Sequence, residues 1–176
     1  MTFTRCRLDD ADLTEAVTRR CVFDECVLTG ARLASSRHTG TAFLSCRFER
    51  ARLFGVVWDG CKLTGSTFLG ATMRLLTSTD TDWSWTTLRG VDLSGSDLSG
   101  QRLAEADLTD ADLRECDFTG ATFTRARLHG AKLRGTDLRG ADTEGVDWRS
   151  VELAGVRLDP PQAVQVARAH GARVTD

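Results

Sequence analysis

Residues 106–142 read ADLTDADLRECDFTGATFTRARLHGAKLRGTDLRGAD, and their large apolar residues keep a beat of five. Leu108, Leu113, Phe118, Phe123, Leu128, Leu133 and Leu138 follow one another at that interval. A helix repeats every 3.6 residues and a strand every two, so neither alone explains it. Followed outward, the beat runs from Phe3 to Leu158 with no insertion. Leu, Phe, Trp or Met fills 28 of its 32 sites, and the exceptions are Thr18, His38, Ser78 and Thr143. A second beat lies two residues earlier, from Cys6 to Val156. Ala, Cys, Val, Ser or Thr holds 29 of its 31 sites, with Leu76 and Gln101 the exceptions. A third beat, two residues after each large site, holds 15 of the 16 glycines.

The unit is therefore small–polar–large–polar–Gly-like. Its small and large residues, two apart, point the same way in an extended segment, and the residue between them points outward. The remaining two residues suit a turn. Such units coil into a prism whose small and large side chains fill the bore, a β-solenoid. The period does not itself count the sides. Thr18, His38 and Ser78 differ by multiples of 20, which with Trp58 would put them on one face of a four-sided coil. The 32 units then make about eight coils, which at ~4.8 Å each give a rod of roughly 38 Å.

Units such as Ala106-Asp107-Leu108-Thr109-Asp110 and Ala131-Lys132-Leu133-Arg134-Gly135 resemble the A(D/N)LXX motif of the pentapeptide-repeat family, over residues 3–158. The resemblance implies an all-β, right-handed quadrilateral parallel β-helix. An unbroken rod followed by DPPQAVQVARAHG is further similar to the MfpA-like, Qnr-related members, which inhibit DNA gyrase. The inserted loops of the Qnr members are lacking, so nothing that depends on them carries over. The expected organisation is a solenoid over 1–158 and a C-terminal helix and tail over 159–176.

That last segment changes period. Asp159 as N-cap, Pro160 and Pro161 in the first turn and Gly171 as stop predict a short α-helix. It is too short to stand alone and must pack, most simply on the open end of the solenoid. The resemblance adds that this end joins two copies. The residues expected there are Ala163, Val164, Val166, Ala167 and His170.

The side chains that suggest chemistry mostly follow from the repeat. Cys6, Cys21, Cys26, Cys46, Cys61 and Cys116 all sit on the small inward beat and read as core thiols. His38 sits on the large beat and reads as a structural histidine that needs a partner. The pairs Asp10/Asp12, Asp80/Asp82 and Asp110/Asp112 combine two adjacent beats, so no metal is expected. No nucleotide-binding loop, nucleophile elbow or zinc-protease motif is present, and no enzyme activity or cofactor is expected. The chain opens MTFTRCRLDD with Phe3 already on the five-residue beat, so no signal peptide is expected, and it holds no run of about 20 apolar residues. The expected location is the cytoplasm, with no membrane contact.

Function must then lie on the surface. The formal net charge of −2 excludes a generally basic nucleic-acid binder. Residues 1–79 hold 11 basic and 8 acidic groups, whereas residues 80–159 hold 10 and 16. The acids concentrate in Asp92, Asp97, Glu105, Asp107, Asp110, Asp112, Glu115 and Asp117, with Asp137 beyond. Four units per coil would stack Asp97, Asp117 and Asp137 on one face and Asp92 and Asp112 on its neighbour. The expectation is a homodimer joined at its C-terminal ends, whose central acidic halves mimic DNA. DNA gyrase is the protein partner that the resemblance implies, with inhibition by competition with DNA, fluoroquinolone resistance, and no direct contact to nucleic acid. The alternative is a rigid interaction scaffold with another partner and no mimicry. The stretch RLLTSTDTDWSWTT, where Leu75, Leu76 and Trp85 break the pattern, is either a kink or an extra contact surface.

Overall fold

A computed structural model describes residues 1–175; Asp176, the end of the expected C-terminal segment, lies outside them. Each unit is an extended stub and a corner. The corner residue has a positive φ at every fifth position from Arg5 to Gly155 except Ser150. Gly95 adopts it (φ 71°) without strain, but fifteen corners carry a side chain, each costing on the order of 1 kcal/mol. The outward aspartates help to close these corners. Asp92, Asp97 and Asp107 accept the N–H two residues ahead, from Ser94 at 3.0 Å, Ser99 at 3.0 Å and Thr109 at 3.1 Å.

Parallel pairing counts the sides. Strands β1 (Thr2–Thr4), β3 (Val22–Asp24) and β5 (Ala42–Leu44) form one sheet. Strands β2 (Val17–Arg19), β4 (Arg37–Thr39), β6 (Val57–Asp59) and β7 (Thr77–Thr79) form another. Thr2 pairs with Val22 and Val17 with Arg37, always 20 residues on. At five residues per side, the solenoid is four-sided. The outward residues of its first face begin Thr2, Val22, Ala42. Those of the second begin Arg7, Val27, Arg47, of the third Asp12, Arg32, Arg52, and of the fourth Val17, Arg37, Val57. About eight coils of strands were expected, but strand ladders occupy only about four turns. Elsewhere the coils are joined by single bridges, out to Asp137↔Arg157. A five-residue side with two residues in its corner leaves three at most to extend.

The bore is filled as the beats require. Leu108, Leu113, Phe118 and Phe123 are fully buried. Phe3, Phe23 and Phe43 stack at 4.7 Å between centroids, and Phe48 stacks on Phe68 at 4.9 Å. His38 lies flat on Trp58 at 4.6 Å. Backbone bonds tie coil to coil: Leu8 N–H donates to Val27 O at 2.7 Å, and Val27 N–H donates back to Cys6 O at 2.9 Å.

The irregular stretch neither shifts register nor ends the rod, since Lys62↔Asp82 and Thr67↔Thr87 continue across it. On the third and fourth faces, however, the ladder opens. Leu53, Gly55 and Gly60 donate to Thr72, Arg74 and Thr79 carbonyls at 2.8, 3.0 and 2.9 Å. Their counterparts one coil on, Met73, Leu75 and Asp80, make no such backbone bond among the described residues. Leu76 and Gln101, the two oversized residues on the small beat, flank this slit. Leu76 is buried, and Gln101 Oε1 accepts from Thr81 N–H and the Ser78 hydroxyl, both at 3.0 Å. A larger group in a position meant for alanine holds the two coils apart.

At the far end, a 3-10 turn (Trp148–Ser150) leads to helix α1 (Pro160–Ala169). Asp159 accepts from Gln162 N–H and Gln162 Oε1 accepts from Asp159 N–H, both at 3.0 Å, a capping box. Buried Gln162 donates to the Leu138 and Ala141 carbonyls, and Val166 and Ala169 pack on the core. Gly171 follows with φ 87°. No helix among the described residues is long and apolar enough to cross a membrane.

Candidate partner-binding faces

The acidic residues singled out in the sequence do not form one patch. Asp92 bridges in register with Asp112 on the third face, and Asp97, Asp117 and Asp137 form a continuous ladder on the fourth. The corner holding Glu115 joins those two faces. Asp107 lies on the second face, opposite the fourth, with Glu105 and Asp110 at the corners on either side of it. Counting the corners that border them, seven of the nine carboxylates lie along two adjoining faces, and Glu105 and Asp107 lie elsewhere. A charge window along a solenoid wraps around it, because each five residues turn the chain onto the next side.

Compensation divides them again. Arg114 holds Asp112 at 2.6 Å, with Lys132 at 4.0 Å. Arg139 holds Asp137 at 2.7 Å, with Arg157 at 3.7 Å. Asp107 faces Arg89 at 3.8 Å and Glu105 faces Arg125 at 3.3 Å. The Arg139 hydrogen bond draws the Asp137 carboxyl down to about 2. The Ser94 hydroxyl lowers Asp92 against the opposing charge of Asp112. Among the described residues, Asp92, Asp97, Asp110, Glu115 and Asp117 have no cation within ion-pair distance. These five, on or bordering the third and fourth faces, are the unpaired negative charge of the set. Chemically they can attract and steer a basic surface.

Four of the six thiols and His38 are enclosed, while Cys6 and Cys21 are partly exposed. Cys26, Cys46, Cys61 and Cys116 are buried, and burial pushes Cys46 and Cys116 up to about 12. His38 bonds Thr18 Oγ1 through Nδ1 at 2.7 Å and Ser36 Oγ through Nε2 at 3.0 Å. The Ser36 hydroxyl donates to Leu33 O at 2.8 Å, so His38 Nε2 carries the proton and Nδ1 accepts. Burial lowers His38 to about 4. Of the aspartate pairs, Asp80 and Asp82 both reach Arg102, at 3.3 and 3.7 Å. Among the described residues no group of His, Cys, Asp and Glu gathers as a metal site.

On the expected dimerisation segment, Val166 turns inward with Gln162 and Ala169. Ala163 and His170 are exposed, and Val164 and Ala167 are half-buried without joining the core. Leu75 and Trp85 of the irregular stretch are exposed, and with them two apolar residues that sequence reasoning passed over, Phe54 and Leu69. Their signal was available, since all four occupy the two corner positions of the unit, which point to solvent.

Comparisons with known proteins agree with this geometry. The sequence matches the family described as Pentapeptide repeats, in 8 copies, over residues 3–37 and 102–140. It is 44% identical over 91 residues to the pentapeptide repeat protein MfpA of Mycobacterium tuberculosis, covering 52% of this chain and 50% of that protein. It is 42% identical over 45 residues to MfpA of Mycolicibacterium smegmatis, covering 26% and 24%. The matched segments thus span half or less of those relatives' lengths. A trypsin-treated variant of QnrB1, described as a plasmid-mediated fluoroquinolone resistance protein, superposes with a TM-score of 0.87 at 25% identity. That match covers 99% of this chain and 87% of that one. Full-length QnrB1 superposes with a TM-score of 0.64 at 25% identity, covering 97% and 88%. The chain carries pentapeptide repeats over the matched segments and has the four-sided β-helix fold of the QnrB1 structures.

Proposed function

We propose that this protein is a DNA mimic that binds a type IIA topoisomerase, DNA gyrase, and inhibits it by competing with duplex DNA. The observation that carries the reading is the pair of carboxylate ladders, Asp92–Asp112 and Asp97–Asp117–Asp137, on adjoining faces of one rigid rod. Each ladder offers a carboxylate every ~4.8 Å, so two side by side supply roughly one per 2.4 Å, close to the ~1.7 Å spacing of charges in a duplex. A fixed array of this kind costs no ordering on binding and draws a basic saddle by long-range steering. The gyrase target follows from the resemblance of repeat and C-terminal segment to gyrase-inhibiting members, and protection against fluoroquinolones follows with it. The reading includes two copies joined at their C-terminal ends through Ala163, Val164, Ala167 and His170, which would bring both acidic halves to the centre. The place of action is the cytoplasm, where gyrase works.

The test is supercoiling by purified gyrase with the double variant Asp97→Asn, Asp117→Asn. Asparagine keeps the corner hydrogen bonds and removes two unpaired charges. Inhibition should weaken about tenfold, and raising salt should weaken the native protein steeply. Unchanged inhibition by the folded double variant overturns the reading.

A second reading, a rigid scaffold for another partner, is favoured by one observation. The same aspartates close the corners, and Asp112 and Asp137 are already neutralised by Arg114 and Arg139. It predicts no effect of the native protein on gyrase at any salt.

A further inference from the structure

The third face carries a charge pattern that DNA mimicry does not explain. From coil to coil its outward residues are Asp12, Arg32, Arg52, Thr72, Asp92, Asp112 and Lys132. Counted outward from Thr72, residues at equal distance have opposite sign three times over: Arg52 and Asp92, Arg32 and Asp112, Asp12 and Lys132. The adjoining corner repeats the pattern, with Glu49 and Arg89 one coil to either side of Leu69. The centre is uncharged. Thr72 is flanked at its two corners by Leu69 and Leu75, 41% and 72% exposed. Leu75 moreover holds a φ of 57°, a conformation that half of the corners leave to glycine. An exposed apolar side chain kept in a strained position calls for something to cover it.

We propose that a second copy of this chain docks antiparallel on the third face, about a two-fold axis at Thr72. Such a rotation reverses the order of coils and leaves each corner against its own counterpart. Leu69 and Leu75 then meet themselves, while Arg52 meets Asp92 of the second copy and Arg32 meets Asp112. Among the described residues, Arg52 and Asp92 take part in no ion pair within their own chain. Arg32, bound to Asp12 at 3.0 Å, and Lys132, near Asp112, extend the network. The step from Thr72 to Asp92 is the unbridged one, and the long arginine side chains span the offset. Six steps of ~4.8 Å make a strip of about 29 Å. One side of a square rod of that length buries less than the ~1,200 Å² of a stable interface, so the pair is reversible, concentration-dependent and salt-sensitive. It is separate from the end-to-end junction and does not require gyrase as the target, although it covers the Asp92–Asp112 ladder and so competes with any basic partner for that face.

The experiment uses the full chain. Thr72→Cys should form a disulfide-linked dimer under mild oxidation, and Thr122→Cys, on the first face, should not. A junction at the C-terminal ends keeps the two Thr72 positions far apart and yields no such link. Sedimentation at low salt supplies a second readout. Arg52→Glu and Asp92→Arg should each weaken self-association about tenfold, and mixing the two variants should restore it. In each mixed pair one of the two central contacts is native, and the other is the same ion pair with its signs exchanged. Failure of Thr72→Cys to cross-link, or charge variants that neither weaken alone nor recover on mixing, overturns the proposal.

Discussion

Asp97 and Asp117 stand in parallel register on successive coils, and among the described residues neither carboxylate has a cation within ion-pair distance. Each instead accepts the N–H two residues ahead, from Ser99 at 3.0 Å and Thr119 at 2.8 Å. The residues that carry the proposed function therefore also close corners of the fold. This is why asparagine, not alanine or lysine, separates charge from structure at these sites. Alanine at either position removes the corner bond as well and should cost about 1 kcal/mol of stability that asparagine does not. Paired thermal melts of the two substitutions check this.

Asp137 behaves differently from its neighbours on the ladder. Its hydrogen bond to Arg139, helped by the charge of Arg157, holds it down to about 2 in the folded state. A carboxyl depressed on folding adds stability above its unfolded value of about 3.9, and that stability is lost as pH falls towards 2. The melting temperature should fall through this window, and Asp137→Asn should flatten that part of the profile.

His38 gives the opposite group the same sign. Burial keeps it neutral, lowering it from 6.5 to about 4. Folding is therefore favoured above pH 6.5, and the contribution is lost as pH falls from 6.5 to 4. His38→Phe, which keeps the stack on Trp58 and does not titrate, should remove the slope of stability with pH in that range.

Leu75 is in a left-handed corner with φ 57°. Leu75→Gly should stabilise the monomer by up to about 1 kcal/mol, because glycine takes this conformation without a Cβ clash. A lower melting temperature in dilute solution contradicts this.

Leu108 is fully buried in the bore. Leu108→Ala should cost about 2–5 kcal/mol, and Leu108→Asp should abolish the folded coil, since a carboxylate would enter a dry interior without a partner. Denaturant melts followed by circular dichroism distinguish the two.

The slit predicts uneven backbone exchange. The amides of Met73, Leu75 and Asp80 should exchange at least about tenfold faster than Leu53, Gly55 and Gly60 one coil earlier. Equal protection would mean that the ladder is closed there.

Much of this architecture is legible before folding. A side chain two residues from another on an extended stub must share its face, so the phase of Leu108 and Cys116 already places them inside. The change of period at Asp159 likewise announces a helix, and Pro160 and Gly171 bound it. Local stereochemistry suffices for these, because each depends on neighbours within five residues. What lies around the rod depends on neighbours 20 residues away. Whether Asp107 joins Asp112 or faces away from Asp117, and whether Arg139 neutralises Asp137, follows from the number of sides and the reach of side chains across coils. The slit was hidden for the same reason: Leu76 and Gln101 are visible as oversized residues, but where the strain is released depends on how two coils share it. The repeat alone determined the tube and its filling, through backbone geometry. Only the closed coil decided which charges meet, because electrostatic partners are chosen by distance in space and not by position along the chain.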